Sequence, residues 1–334
     1  MVSVMTTIEE TALVALLDMP SLLIEADKVV FANRAATALL GAHIVGQDVR
    51  LALRQPDAMA LINARDGGHA KVKGISVSGS LWDMACHVLS GGRRLVLLQD
   101  LSIQASVARA HADFVANASH ELRTPLAAIL GYVETLEDPK AGDDPATRAR
   151  FLGIIRREAQ RMQSLVEDLM SLSRIEAVKH DRPETVIDLA ALVREAAGET
   201  QAEVVLDMKV VAPGVSVQGD RGQIAQVLRN LIDNAVKYGD PARPVTVILE
   251  ATPDTGWASV SVHDEGEGIA PEHLPRLTER FYRADASRSR AVGGTGLGLS
   301  IVKHIIERHR GFFDISSRVG EGTTASIMLP TVQG

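Results

Sequence analysis

Phe114-Val-Ala-Asn-Ala-Ser-His120-Glu121-Leu-Arg-Thr124-Pro125-Leu126 opens the most regular part of the chain. From it Leu122, Leu126, Ile129, Val133 and Leu136 recur at steps of four and three, the period of a helix with one apolar seam. After the break Asp138-Pro-Lys-Ala-Gly-Asp-Asp-Pro145 a second seam follows at Phe151, Ile155, Met162, Leu165, Leu169 and Leu172. The two patterns predict an antiparallel helical hairpin over about residues 106–178. A narrow seam is poorly buried by two helices alone, so a homodimer closing a four-helix bundle is expected.

His120 falls just before the seam position Leu122, so its ring points away from the core. Thr124 lies one helical turn further on the same face, where its hydroxyl can position a water against a group carried on the imidazole. Pro125 has no N–H and crowds the carbonyl of Glu121, which predicts a kink. Adjacent side chains on a helix diverge by about 100°, so Glu121 reaches the ring only through that kink or a long rotamer. A carboxylate that does reach holds the proton-bearing ring nitrogen and frees the other as nucleophile.

The pattern changes on both sides of the hairpin. Over about residues 10–104 short apolar runs alternate with turn signals: Ser21 to Glu25 and Val29 to Ala32 about Asp27-Lys28, a helix from Asn33 to Leu40 ended by Gly41, then Trp82 to Leu89 and Leu95 to Leu98 about Gly91-Gly92. This is a small α+β module. Over about residues 185–331 helical patterns (Leu189 to Ala197, Gln223 to Tyr238, Leu297 to His309) alternate with strands (Val245 to Glu250, Trp257 to His263, Phe312 to Ser317, Thr323 to Leu329), predicting an α/β sandwich.

That last region carries three polar constellations. Asn230 and Asn234 share a helical face, and their amide oxygens are neutral hard ligands suited to Mg²⁺ that already holds phosphate oxygens; Lys237 follows within reach of a phosphate, and Tyr238 closes the motif. Asp264, at a strand end, can accept a hydrogen bond from an exocyclic amine such as that of adenine. Gly266 and Gly268 let backbone approach a flat ring. Gly293-Gly294-Thr295-Gly296-Leu297-Gly298 opens a helix and offers backbone N–H groups and a positive helix end to phosphates. The spacing fits neither a dinucleotide-binding turn nor a P-loop.

In this order the motifs resemble the boxes of two-component sensor histidine kinases: His120 to Pro125 the phosphoacceptor box, Asn230 to Tyr238 the asparagine box, Asp264 to Gly268 and Gly293 to Gly298 two glycine boxes, Phe281-Tyr-Arg283 the phenylalanine box, and Gly320 to Thr323 a last glycine turn. The resemblance covers about residues 106–330 and implies a dimerisation and phosphotransfer domain followed by a Bergerat-type ATP-binding domain. It implies His120 as phosphoacceptor, Glu121 as its acid/base helper, Thr124 as an aid to dephosphorylation of the partner, Asn234 with Asn230 near Mg²⁺, and Asp264 at adenine. It also implies a receiver-domain aspartate of a response regulator as the partner. The resemblance implies a mobile lid between Phe281 and Gly293, a polar segment that carries Arg283, Asp285, Ser287, Arg288 and Arg290. Arg310 stands where many relatives have glycine, and tolerance is expected there. The N-terminal module is similar to PAS sensor domains, through Leu23 to Ala36 and through Asp100-Leu-Ser102 before the hairpin, and the whole arrangement resembles the phosphate-regulon sensor group.

Composition agrees. With 334 residues, 46% hydrophobic, 23% charged and 3% aromatic, the chain is modular, and its cores are built from Leu, Ile, Val and Ala. A net charge of −7 argues against nucleic acid. The single Cys86 excludes an intrachain disulfide and a cysteine-rich metal site; it and His87 read as ordinary sheet positions. Glu9 and Glu10 do not suit a signal peptide, and no run approaches the ~20 apolar residues of a membrane span. A cytoplasmic protein is expected, with a membrane segment missing from the chain as the other possibility. Two other function classes compete: a hydrolytic Bergerat-fold ATPase, disfavoured by asparagine at position 230 where a water-activating carboxylate would stand, and an inactive dimeric scaffold.

Overall fold

The computed structural model describes residues 10–77, 79–138, 144–178, 181–200, 202–210, 215–252, 256–284 and 294–332. The chain forms two compact units, residues 1–115 and 116–334.

The first unit is built on a five-stranded antiparallel sheet in the order β2-β1-β5-β4-β3. Its strands are β1 (Ser21–Glu25), β2 (Lys28–Ala32), β3 (Gly68–Lys73), β4 (Leu81–Val88) and β5 (Arg94–Asp100). Helices α1 (Arg34–Leu40), α2 (Val49–Ala52) and α3 (Pro56–Asn63) lie between β2 and β3. Both predicted hairpins are present, the first turning at Ala26 and Asp27, each with positive φ, the geometry that matches strand twist in tight hairpins. Asn33 organises the start of α1. Its Oδ1 accepts from Ser21 N (3.1 Å) and Ala36 N (2.9 Å), and its Nδ2 donates to the carbonyls of Leu17 and Met19, so a buried amide leaves no polar atom unpaired. Leu22, Ile24, Ile62, Trp82, Met84 and Leu98 centre the core, and Cys86 joins it, its thiol pushed up by burial. His87 is exposed, with its ring 6.2 Å from that of His69.

The long helix α4 (Ser102–Glu137) begins earlier than the apolar period suggested, because Asp100 accepts from Ser102 N at 2.8 Å and Ser102 Oγ accepts from Leu81 N. It continues without a break through Pro125. Its return partner is α5 (Pro145–Ala177), with Asp144 capping the N-terminus through Ala146 N and Thr147 N, and Pro145 in the first turn. Tyr132 meets Phe151 and Glu121 meets Arg161, the register of an antiparallel hairpin. Leu126, Leu130, Val133, Leu152, Val166 and Met170 are exposed on the two helices.

Beyond the hairpin a mixed sheet runs in the order β11-β12-β10-β9-β7, from β7 (Val204–Val210), β9 (Val245–Thr252), β10 (Trp257–Asp264), β11 (Phe312–Arg318) and β12 (Gly322–Pro330). Its β7–β9 pair is parallel; a small pair, β6 (Val186–Asp188) with β8 (Ser216–Gln218), stands apart. Strand β10 alternates strictly between half-buried and buried residues, the pattern of a sheet with one covered face. Helices α6 (Leu189–Gly198), α7 (Arg221–Tyr238) and α8 (Gly298–Arg308) bring Leu192, Val193, Ile224, Leu228, Ile301 and Ile305 into the core. Helix α8 ends in a Schellman closure: Arg310 N donates to Glu307 O, Gly311 N to Ile306 O, and Arg310 takes φ 58°. The departure at position 310 therefore falls on a left-handed residue, where a side chain costs conformational energy.

Candidate active site

The second unit encloses a cavity of 470 Å³ between the sheet, α7, the glycine turn before α8 and one face of α5. Asn230, Asn234, Lys237 and Tyr238 line it from α7, because turns of a helix place residues four apart on one face. Asp264 enters from the end of β10, where alternation turns it inward. It is buried, and burial raises its carboxyl above the ordinary value against the bond from Gly266 N (2.9 Å). Gly268, Gly294, Thr295, Gly296 and Gly298 line the wall. Asn230 Nδ2 donates to Gly298 O at 3.3 Å, which ties the asparagine helix to the glycine turn and leaves the amide oxygen as a donor atom for a cation.

Gly266 and Gly268 also meet a steric demand of the fold itself, one that was not read in the sequence. A Cβ at Gly266 would stand 2.3 Å from Tyr238 O, and one at Gly268 2.0 Å from Arg318 O. Their bareness lets backbone meet backbone; Gly266 is absent from the cavity wall altogether. Gly296 likewise abuts the backbone of Phe281, and Phe281 N donates to Gly296 O at 2.8 Å. Leu297 is fully buried in the core and does not face the cavity. Asp285, Ser287, Arg288, Arg290 and Gly293 lie outside the described residues.

His120 is exposed, on the wall of a neighbouring cleft of 360 Å³ with Asn117, Glu121, Arg276, Glu279, Arg280, Phe281 and Tyr282. Thr124 Oγ1 turns back to the carbonyl of His120 (3.3 Å). The carboxylate of Glu121 is taken by two guanidinium groups, Arg283 at 2.9 Å and Arg161 at 3.3 Å. Tyr282 lines both spaces, and its hydroxyl is paired with His273 Nδ1 at 2.7 Å.

Several groups at the site were not read from the sequence. Ser164, Glu167 and Asp168 of α5 line the larger cavity, and Thr295 Oγ1 donates to Asp168 Oδ2 at 2.7 Å. Burial raises the Asp168 carboxyl, opposed by that bond and by the charge of Lys237. On α5 these positions belong to no motif, and only tertiary packing turns them into a wall. Away from both cavities His309 is also buried: its Nδ1 pairs with Ile305 O, and its Nε2 accepts from Asp220 N at 2.9 Å, fixing the neutral tautomer.

The chain is similar to known proteins over both the hairpin and the region beyond it. Residues 110–178 match the His Kinase A (phospho-acceptor) domain, and residues 219–333 match the histidine kinase-, DNA gyrase B-, and HSP90-like ATPase family. Over 308 residues the chain is 33% identical to the sensor-like histidine kinase SenX3 of Mycolicibacterium smegmatis, an alignment covering 89% of this chain and 75% of that one. The chain belongs to the sensor histidine kinases. It is also 41% identical over 247 residues to the phosphate regulon sensor protein PhoR of Pseudomonas aeruginosa, covering 71% of this chain and 54% of the relative, so this histidine kinase spans about half of that protein's length. Histidine kinase ThkA, solved in complex with the response regulator protein TrrA, shares the fold with a TM-score of 0.54 over 98% of both chains at 18% identity. No helix among the described residues of this histidine kinase is long and apolar enough to cross a membrane.

Proposed function

We propose that the chain autophosphorylates His120 from ATP and passes the phosphoryl group to an aspartate in the receiver domain of a response regulator. The observation that carries this reading is the adjacency of the two spaces: one folded unit holds a nucleotide-sized cavity and a cleft with an exposed histidine, and Tyr282 lines both. Adenine meets Asp264, and the phosphates meet the glycine turn and Lys237. Mg²⁺ fits Asn234 and Asn230. Among the described residues no group of three or more acidic, cysteine or histidine side chains can hold a metal alone, so neutral amide oxygens suit a cation that arrives with phosphate oxygens. Bound there, the cation would neutralise charge on the phosphates.

In the transfer, the neutral nitrogen of His120 forms a bond to the γ-phosphorus as the bond from phosphorus to the β–γ bridging oxygen breaks, and ADP leaves. Glu121, released from its arginines, takes the proton from the other ring nitrogen. A receiver carboxylate then displaces the imidazole, and Thr124 with Glu121 orients water that later attacks the phosphorus on the partner, freeing the aspartate and releasing inorganic phosphate. The domains are 10–104 for a PAS-like sensor, supported by the sheet order and by the capped exit at Asp100, 106–178 for dimerisation and phosphotransfer, and 185–331 for ATP binding. The exposed apolar residues of α4 and α5 form the homodimer face of a four-helix bundle.

The test is incubation with γ-labelled ATP. Acid-labile, alkali-stable label on the wild type that vanishes in His120→Ala is the expected result. Release of phosphate without protein label, unaffected by the substitution, refutes the reading in favour of a hydrolytic ATPase.

A further inference from the structure

An acidic edge of the hairpin occupies one wall of the nucleotide cavity. Asp168 Oδ2 accepts the 2.7 Å bond from the hydroxyl of Thr295 in the glycine turn, and its neighbour Glu167 lines the same cavity as Asn234 and Lys237. The turn leads into α8, whose first-turn N–H groups and positive end suit phosphate oxygens. A carboxylate oxygen from the hairpin holds the turn's hydroxyl instead. A polyphosphate entering the same space brings charge of the same sign as Asp168 and Glu167, and like charges in a shielded cavity repel far more strongly than in water.

We propose that the Asp168–Thr295 contact is an autoinhibitory latch, in which the hairpin holds the phosphate-receiving turn and an adenine nucleotide binds only by displacing it. The inference rests on the nucleotide reading of the cavity and adds a regulatory step to it. Nucleotide and hairpin are linked reciprocally: whatever strengthens docking weakens nucleotide binding by the same factor. Burial disfavours the charged form of Asp168, and the bond from Thr295 and the charge of Lys237 oppose that effect.

The full chain is titrated calorimetrically with ADP, with and without Mg²⁺, as wild type, Asp168→Asn and Asp168→Ala. Both variants are expected to bind ADP at least about fivefold more tightly in either condition. Amide exchange at residues 294–299, measured without nucleotide, should rise in both. Unchanged or weaker affinity in the variants overturns the latch. A loss confined to Mg²⁺-loaded ADP makes Asp168 a metal ligand and also overturns it. Faster exchange with unchanged affinity shows a docking contact that does not compete, which sinks the latch and leaves the nucleotide site standing. Failure of wild type and variants alike to bind ADP overturns the nucleotide reading, and the latch with it.

Discussion

Gly268→Ala tests whether the glycine at the cavity wall serves the backbone or the ligand. Gly268 has φ 70°, and an added Cβ would lie 2.0 Å from Arg318 O, 2.6 Å from its carbonyl carbon and 3.0 Å from Val319 Cα, all backbone. The facing turn cannot retreat freely, because Gly320 N donates to Glu267 O at 2.8 Å and Ile269 N to Ser317 Oγ at 2.9 Å. A left-handed alanine costs about 1–2 kcal/mol. Overpacking against a fixed neighbour adds about 1–3 kcal/mol. The sum, roughly 2–5 kcal/mol, is a large part of the stability of an ordinary domain. Gly320→Ala is the control: its φ is 83°, but nothing stands within 4 Å of its Cβ, so only the conformational cost applies. Urea unfolding followed by Trp257 fluorescence, in a Trp82→Phe background that silences the other tryptophan, reads the ATP-binding region. The steric argument is refuted if Gly268→Ala is no less stable than Gly320→Ala. Loss of nucleotide affinity without loss of stability would restore the reading in which the glycine makes room for a ring.

Two further outcomes follow from buried titratable groups. Burial lowers the pKa of His309 below the ordinary 6.5, so the unfolded chain binds the proton more readily; stability should be full above that value and fall as pH drops from it toward the folded value, with Asp220, Arg308 and Arg182 as the charges acting on the ring. Urea midpoints at pH 7.5 and 5.5 should differ less in His309→Gln than in the wild type, and equal differences would count against the assignment. Asp264→Asn, which keeps the shape but removes an ionised acceptor worth about 1.5–3 kcal/mol, should weaken ADP binding roughly 10- to 100-fold with little change in the urea midpoint. Undiminished affinity would remove Asp264 from the adenine contact.

What the sequence made legible was local. The helix over Gln223 to Tyr238 was placed to within two residues, because its apolar face and terminal glycine are written in neighbouring positions; the true start at Arg221 follows from the Asp220 cap. Strand β7 escaped because its partner β9 is parallel and distant in sequence, so no turn marks the pair. His120, Asn234 and Asp264 could be singled out because each sits in a motif with its own chemistry. Asp168 has no such motif; on α5 it is one acid among many, and its meaning comes from Thr295, which reaches it only in the folded unit. Gly266 shows the converse: the motif was visible, yet its physical reason, the carbonyl of Tyr238, was not.

The way the ATP-binding region sits on the hairpin bears on whether a nucleotide can free it. Leu165, Leu172 and Ile175 of α5 are buried, but around them the contacts to the ATP-binding region are polar: Glu121 with Arg283, Glu176 with Arg280, Ser171 with Gln226, and Arg308 with the carbonyls of Val178 and Asp181. Partly exposed pairs of this kind contribute about 0–1 kcal/mol each and weaken with salt. A handful of them amounts to a few kcal/mol. Nucleotide binding with a Kd between millimolar and micromolar supplies about 4–8 kcal/mol, the same order. A ligand shifts a two-state equilibrium only by its preference for one state, and here that preference is built in, because Asp168 stands in the docked state against the turn that a phosphate needs. A wholly apolar interface of the same extent would hold too tightly for ATP to open, and a wholly exposed one would hold nothing for a signal to release.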